Sequence, residues 1–373
     1  MQIYADLLRP MAFRSDAERM HDLAVRVGEI ASHVPLFCSA LAGHIRRSYP
    51  RLECNVAGLT FDNPLGLAAG YDKNGRATPL WAAFGFGHIE IGSVSADPSP
   101  GNPRPRLWRI PADRGLIVNY GLPNDGAERV AVRLAGVRTP VPLGINLVNT
   151  NRGTQAAPAT DDDVVSDYVR SIRLLEPHAS YLVLNLSCPN TADGRSFVSD
   201  TCRTRRLFEA VREAAPSKPV FLKVAPFPDA CALDSFLELA DGFSFVRGFS
   251  INLPPGKPVS LKLPANQVGR MPGAVSGTPC TELMDRAAAE LFRRIDSKRC
   301  CLIGSGGVFD AAGAYRKIRL GASLIQLLTS LVYEGPGIVR RILEDLDQLL
   351  ANDGFSRVSQ AVGIDVQPLK TAR

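Results

Sequence analysis

The sequence predicts a (β/α)8 barrel of the α/β class, preceded by a small helical N-terminal extension. Three observations predict it. Eight short apolar runs, each followed by a helical stretch, recur from about residue 49 onward. Small or polar residues follow nearly every run, so candidate sites converge from all round a ring. An open, doubly wound sheet, the competing architecture, would gather them at one crevice. A Gly-rich turn, Gly304-Ser-Gly-Gly307, follows the seventh run, where such barrels bind phosphate. No internal repeat or low-complexity segment interrupts the pattern.

Residues 1–48 read as a helical unit of their own. Ser15-Asp-Ala-Glu18 has the form of a capping box opening a helix. Leu23, Val27, Ile30 and Val34 then recur at helical spacing, Pro35 breaks the run, and Leu36, Phe37, Leu41 and Ile45 suggest a second short helix. Arg9, Arg14, Arg19, Arg26, Arg46, Arg47 and Arg51 surround them. Two readings stand: helices that simply pack on the main domain, or a basic amphipathic pair that also touches a membrane surface.

The barrel is expected over 49–360, with a tail over 361–373. A small hairpin turning at Gly58 spans Leu52 to Phe61. The eight strands are expected at Leu65–Ala69, His88–Ser93, Leu143–Leu147, Tyr181–Asn185, Val220–Val224, Arg247–Ile251, Cys301–Gly304 and Leu324–Leu327. Helices are expected near Thr78–Phe84, Val164–Leu175, Thr204–Ala215, Ala230–Ala240, Pro279–Ile295, Ala311–Leu320 and Gly337–Leu350, and another follows Asp125. A Pro/Gly-rich excursion from Ala96 to Asp125 and the stretch from Ile251 to Pro279 read as loops.

Composition narrows the class. Apolar residues make up 45% and charged residues 21%, with a net charge of +6, as in an ordinary soluble enzyme. No run of five like charges points to nucleic acid. The eight cysteines show neither CxxC nor a His cluster at metal spacing, which reads as a reducing compartment with no metal and no disulfide framework. No apolar run approaches the roughly 20 residues that span a bilayer, and no signal peptide is evident. The expected location is cytoplasmic, with peripheral contact on the inner face of a membrane left open.

The polar strand ends carry the chemistry. The first strand runs into Ala68-Ala69-Gly70-Tyr71-Asp72-Lys73, where small residues let a flat ring approach the backbone and Lys73 supplies a cation. Ser93, Asn146, Asn185, Lys223 and Asn252 follow the second to sixth strands, and Leu328-Thr329-Ser330 the eighth. The stretch Tyr181-Leu-Val-Leu-Asn-Leu-Ser-Cys-Pro-Asn190 is the densest, a buried strand ending in a polar turn. Taken alone it is equally an ordinary Ser/Asn/Pro turn.

Several motifs in the same order resemble those of dihydroorotate dehydrogenases. They are Asn63-Pro-Leu-Gly-Leu-Ala-Ala-Gly-Tyr-Asp-Lys73, Gly85-Phe-Gly-His-Ile-Glu-Ile-Gly-Ser93, Pro100-Gly-Asn-Pro-Arg-Pro-Arg106, Asn185-Leu-Ser-Cys-Pro-Asn-Thr191, Gly304-Ser-Gly-Gly307 and Gly321-Ala-Ser323. The resemblance covers about residues 10 to 345, and the helical N-terminal unit is similar to that of the membrane-associated, quinone-using class. It implies an FMN-dependent barrel that oxidises dihydroorotate to orotate, with a quinone or another external acceptor reoxidising the flavin.

The resemblance also implies roles. Ala68, Ala69, Gly70, Ser93, Asn146, Asn185 and Lys223 match positions that hold the flavin ring and ribityl chain. Gly277, Gly306, Gly307, Leu328 and Thr329 match the remaining flavin and phosphate positions. Lys73, Asn190 and Asn252 match substrate-gripping positions, with Asn119, Gly121 and Leu122 on the loop beside them. Cys188 matches the catalytic base. A nearby cation lowers a thiol's pKa, which suits the role near neutrality, although a small buried residue is the commoner fate of cysteine. His21 and Arg106 match quinone-tunnel positions.

The departures bear on the substrate. Cysteine at the base position and Gly121-Leu122-Pro123-Asn124 resemble the soluble class of the family. Val118 stands where an Asn contacts substrate, with Asn119 one residue late, and Ile251 and Leu253 flank Asn252 where Thr or Ser is usual. Leu328 replaces a Tyr, and Val148-Asn149-Thr150 replaces Gly-Lys-Asn. Each unpaired polar group on a buried ligand costs about 1–3 kcal/mol. A second reading is therefore a dehydrogenase or ene-reductase paralogue acting on a less polar cyclic substrate. A third, a flavin-binding protein without turnover, is disfavoured by the retention of Lys73, Cys188 and Lys223.

Overall fold

A computed structural model of the 373-residue chain describes residues 4–153, 156–157, 159–187, 198, 200–214 and 216–367. Its strands, in chain order, are β1 (Cys54–Val56), β2 (Leu59–Phe61), β3 (Leu65–Leu67), β4 (His88–Val94), β5 (Leu107–Ile110), β6 (Gly115–Val118), β7 (Leu143–Leu147), β8 (Tyr181–Asn185), β9 (Val220–Val224), β10 (Val246–Ile251), β11 (Ala274–Gly277), β12 (Cys301–Gly304) and β13 (Ala322–Leu327). Eight of them close a parallel barrel in the order β3-β4-β7-β8-β9-β10-β12-β13, with β13 returning to β3. The eight barrel strands are those the sequence predicts, with ends shifted by up to two residues.

Burial explains the legibility of these strands. Every residue of β4, β7, β8 and β9 is buried, so Val, Ile and Leu recur on both faces, as in helix-covered parallel sheets, with the buried polar residues His88, Glu90, Ser93, Asn146, Asn185 and Lys223 set among them. Register then levels the polar strand ends. Asn146 pairs with Gly92 and Lys223 with Asn185, which sets their side chains at one height. Helices follow the strands, among them Asp161–Leu175, Thr201–Ala214 and Ala230–Asp241. The first opens on a capping box in which Thr160 accepts from the Asp163 N–H and Asp163 accepts from the Thr160 N–H. Residues 361–367 of the expected tail stay bound, through the Gly363 N–H to the Ile318 carbonyl and the Arg319–Asp365 ion pair.

Two stretches read as loops hold a sheet. β5 and β6 form an antiparallel pair, and β11 adds antiparallel to β6, with Ala274 opposite Val118. Each strand is four residues long, and β11 lies more than 150 residues from its partner, so no local periodicity marks it. Leu107, Leu116 and Tyr333 make a small core of their own beneath this sheet, with Phe13 and Leu328 packed against it. Tyr333 belongs to the short helix Thr329–Glu334, which the sequence reading also passed over.

The N-terminal unit is a π-helical turn, Tyr4–Leu8, followed by helices Arg9–Phe13, Ala17–Ser32 and Pro35–Ile45. The expected capping box does not form. Asp16 is the cap, accepting from the Arg19 N–H at 2.9 Å, because Glu18 is used elsewhere. Arg106 donates to Glu18 Oε1 from Nε and Nη2 at 2.9 and 2.8 Å, and Arg104 pairs with the same oxygen. Glu18 and Arg106 are both buried. The helix also seats Gly28 against Ala77 and Trp81. Its apolar stripe therefore does not pack on the barrel: Leu23, Val27, Ile30 and Val34 are each at least half exposed. Replacing Glu18 by Ala strands the Arg106 charge and is expected to cost about 3–5 kcal/mol. Thermal unfolding, with limited proteolysis of the first 45 residues, measures that loss.

Candidate active site

A cavity of about 920 Å³ runs from between the N-terminal helices to the floor formed by the barrel strand ends. Its outer part is apolar, with Leu8, Met11, Leu23, Val27, Leu331 and Val332 on the walls. Its inner part is polar, ending on Ser93, Asn185, Lys223, Asn252 and Gln326. The sheet formed by β5, β6 and β11 supplies one wall through Leu107, Leu116, Val118, Ser276 and Gly277.

Lys73 stands where the two parts meet. Its loop is held by Asp72, fully buried, which accepts from the backbone N–H groups of Asn74, Arg76 and Ala77 and from Trp81 Nε1. Lys73 Nζ donates to His21 Nε2 at 3.2 Å and lies 4.0 Å from the Tyr120 ring centroid. Burial lowers the Lys73 pKa to about 8, opposed by the nearby charges of Asp22 and Glu18. Burial, aided by the Lys73 charge, keeps His21 well below its ordinary value. A neutral imidazole beside an ammonium is the result, and the lysine remains the cation of the cavity neck.

The floor is one hydrogen-bonded row. Asn252 Nδ2 donates to Asn185 Oδ1 at 3.3 Å, Asn185 Nδ2 to Ser93 Oγ at 3.2 Å, and Ser93 Oγ to Asn146 Oδ1. Asn146 Nδ2 then donates to Glu90 Oε1 at 2.9 Å. Lys223 Nζ donates to the same carboxylate at 3.2 Å and Gln326 Nε2 at 2.7 Å. Asn185 is fixed further by Tyr168, whose hydroxyl donates to its carbonyl at 2.7 Å.

A third region suits an anion. Gly277, Ser305, Gly306, Gly307 and Thr329 line it, and the Ser276 and Thr329 hydroxyls are 3.0 Å apart. Gly277 and Gly307 have φ of +89° and +72°. A Cβ on Gly277 would lie 2.5 Å from the Arg114 carbonyl oxygen, and one on Gly307 1.9 Å from Thr281 Oγ1. Only glycine gives this backbone cradle. The Gln326 Oε1 atom is buried on the floor and pairs with no described group. A flat ring bearing hydrogen-bond groups and ending in a phosphate fits this donor set, with the ring over the amide row and the phosphate in the glycine cradle.

Most predicted site residues meet in this cavity. Ala68, Ala69, Gly70, Lys73, Ser93, Asn185, Lys223, Gly277, Gly306, Gly307, Leu328 and Thr329 line it, as do Gly121, Leu122 and Asn252. Asn146 sits just behind the wall, between Ser93 and Glu90. Asn119 does not enter: its side chain accepts from Asn102, while Val118 faces the cavity. A one-residue offset on a strand reverses side-chain direction. Ile251, Leu253 and His21 line the cavity, whereas Arg106 does not and instead clamps Glu18. Cys188 and Asn190 lie outside the described residues. Sequence reading passed over Glu90, Gln326 and Tyr120. Glu90 and Gln326 sit inside strands that read as plain apolar runs, and a charged or amide residue in such a run was the signal to follow.

Among the described residues no three His, Cys, Asp or Glu side chains gather to hold a metal, and no helix is long and apolar enough to cross a membrane. A family model described as dihydroorotate dehydrogenase matches residues 51–350. The chain is 40% identical over 369 residues to a dihydroorotate dehydrogenase (quinone) of Acidithiobacillus ferrooxidans, covering 96% of this chain and 98% of that one. It is 37% identical over 360 residues to the protein of the same name from Natronomonas pharaonis, covering 96% and 99%. The crystal structure of DHODH in complex with ferulenol from Eimeria tenella superposes with a TM-score of 0.79 at 26% identity, covering 95% of this chain and 96% of that one.

Proposed function

The chain belongs to the dihydroorotate dehydrogenase family, and from that premise we propose that it oxidises dihydroorotate to orotate on FMN and passes the electrons to a quinone. The observation that carries the reading is the single cavity, polar at the barrel floor and apolar toward the N-terminal helices. One end suits a charged ring and the other a hydrophobic acceptor.

FMN, when bound, supplies a hydride acceptor and later releases the electrons. Ala68, Ala69, Gly70, Ser93, Asn146, Asn185 and Lys223 would hold its ring and ribityl chain. Gly277, Gly306, Gly307 and Thr329 would hold its phosphate, and Leu328 would pack beside it. Lys73 binds the substrate carboxylate, Asn252 and Asn190 pair with ring amides, and Gly121 and Leu122 close over it. Cys188 takes the proton from the ring carbon next to the one that loses hydride. Lys223 places positive charge where negative charge grows on reduction. The apolar walls exclude water, which strengthens each of these interactions. The helices Ala17–Ser32 and Pro35–Ile45, with their uncovered Leu23, Val27, Ile30 and Leu36, rest peripherally on a membrane surface and admit the quinone.

The test is anaerobic. The purified protein carries FMN, and dihydroorotate bleaches its yellow colour; a short-chain quinone restores it. No bleaching by dihydroorotate overturns the proposal. Val118, Ile251 and Leu253 on the wall favour a second reading, a cyclic substrate with fewer polar groups. Dihydropyrimidines and enones in the same panel separate the two, because that reading requires faster bleaching by a less polar ring.

A further inference from the structure

Glu90 is an odd residue for a parallel barrel strand. It lies in the middle of β4 between Ile89 and Ile91, is 0% exposed and does not line the cavity. A buried charge needs both a counter-charge and full hydrogen bonding. Glu90 has both. Lys223 Nζ and Asn146 Nδ2 donate to Oε1, and Gln326 Nε2 donates to Oε2.

We propose that Glu90 is the positioning residue of the flavin site: the buried carboxylate on which Lys223, Asn146 and Gln326 converge, balancing the Lys223 charge and setting the donor direction of Asn146 and Gln326 at the cavity floor. This rests on the FMN reading above. An ionised carboxylate only accepts hydrogen bonds. Asn146 must therefore turn its Nδ2 toward Glu90, which leaves Oδ1 for the Ser93 hydroxyl proton. Ser93 Oγ is then free to accept from Asn185 Nδ2, and Asn185 Oδ1 accepts from Asn252 Nδ2. Every amide from Asn252 to Asn146 points its donor toward Glu90. Asn252 and Asn185 are also held by the Ser187 and Leu253 backbone, whereas Asn146 takes its direction from the carboxylate. Without Glu90 it is Asn146 that can turn over, and with it the hydroxyl direction of Ser93.

The same carboxylate sets the electrostatics. Lys223 and Glu90 form a buried ion pair, so the ammonium that lines the cavity floor is balanced by the carboxylate behind it. Replacing Glu90 by Gln would leave that positive charge unbalanced at the floor and add a donor where the site already has three. Positive charge favours the reduced ring. In Glu90→Gln the ratio of reduced to oxidised flavin at a fixed ambient potential is expected to rise about tenfold, which for a two-electron couple is about 30 mV toward positive values. Glu90→Asp keeps the charge but withdraws it by one methylene, so it cannot reach all three donors. A smaller change in potential and an altered visible flavin spectrum are expected.

The experiment is a redox titration and absorption spectrum of the FMN-loaded wild type, both Glu90 variants, Lys223→Met, and Lys223→Met combined with Glu90→Gln. The effect of Glu90→Gln should shrink in the Lys223→Met background, because the proposed route runs through that ammonium. If Glu90→Gln does not fold, Glu90→Asp decides. Variants with lowered melting temperature but wild-type potential and spectrum overturn the proposal, since a merely structural Glu90 behaves in that way. A wild type that binds no FMN overturns the functional reading instead.

Discussion

Replacing Cys188 by Ala is expected to slow flavin reduction by dihydroorotate about 10²- to 10⁴-fold, the range a positioned base contributes. The flavin should remain bound at wild-type stoichiometry, because no predicted flavin contact is removed. Stopped-flow bleaching reads the rate and the absorption spectrum the occupancy. Cys188→Ser gives a second, independent mark. A thiol has a reference pKa of about 8.5 and an alcohol far higher, so the rising limb of the pH–rate profile should move to higher pH. A Cys188→Ala enzyme within tenfold of wild type, or a serine enzyme with an unmoved limb, assigns the base to another residue.

The second large effect is at Lys73. Its ammonium is buried beside a neutral His21 and loses its proton as pH rises through about 8. An anionic substrate binds only the protonated form well. Affinity should therefore be constant below that value and fall about tenfold per pH unit above it, while the bound carboxylate raises the lysine's pKa in the complex. In Lys73→Met the ammonium contact is gone. With about 1.5–3 kcal/mol for a hydrogen bond to a charged group, KM for dihydroorotate should rise about 10- to 150-fold and lose its dependence on pH between 7 and 9. A KM that keeps this pH dependence in the variant places the titrating group elsewhere.

Both predictions rest on residues that were legible before the structure. Lys73 and Cys188 follow apolar runs in the sequence, in motifs of short local span. The barrel strands were legible for the same reason: Tyr181–Asn185 or Val220–Val224 is a buried apolar run whatever its neighbours are. The sheet of β5, β6 and β11 was not, because its strands are four residues long and Gly277 opposes Gly115 across a large stretch of chain. The capping box at Ser15–Glu18 has correct local chemistry, and it lost to Arg106, 88 residues away. The apolar stripe at Leu23, Val27 and Ile30 is equally consistent in the sequence with packing on the barrel and with a membrane-facing surface; the structure leaves it at least half exposed and meets the barrel through Gly28 and Glu18 instead.

The sequence by itself determined the family, the barrel and the chemical kind of each strand-end residue, because buried runs and compact motifs are written locally. Tertiary structure alone decided which of those residues share a surface. It turned Asn119 away and Val118 inward, since one residue of offset on a strand reverses a side chain. It joined Asn252, Asn185, Ser93 and Asn146 into one row ending on Glu90. Residues more than 50 positions apart come level only through strand register, and a buried carboxylate can persist only where three separate strands bring donors to it.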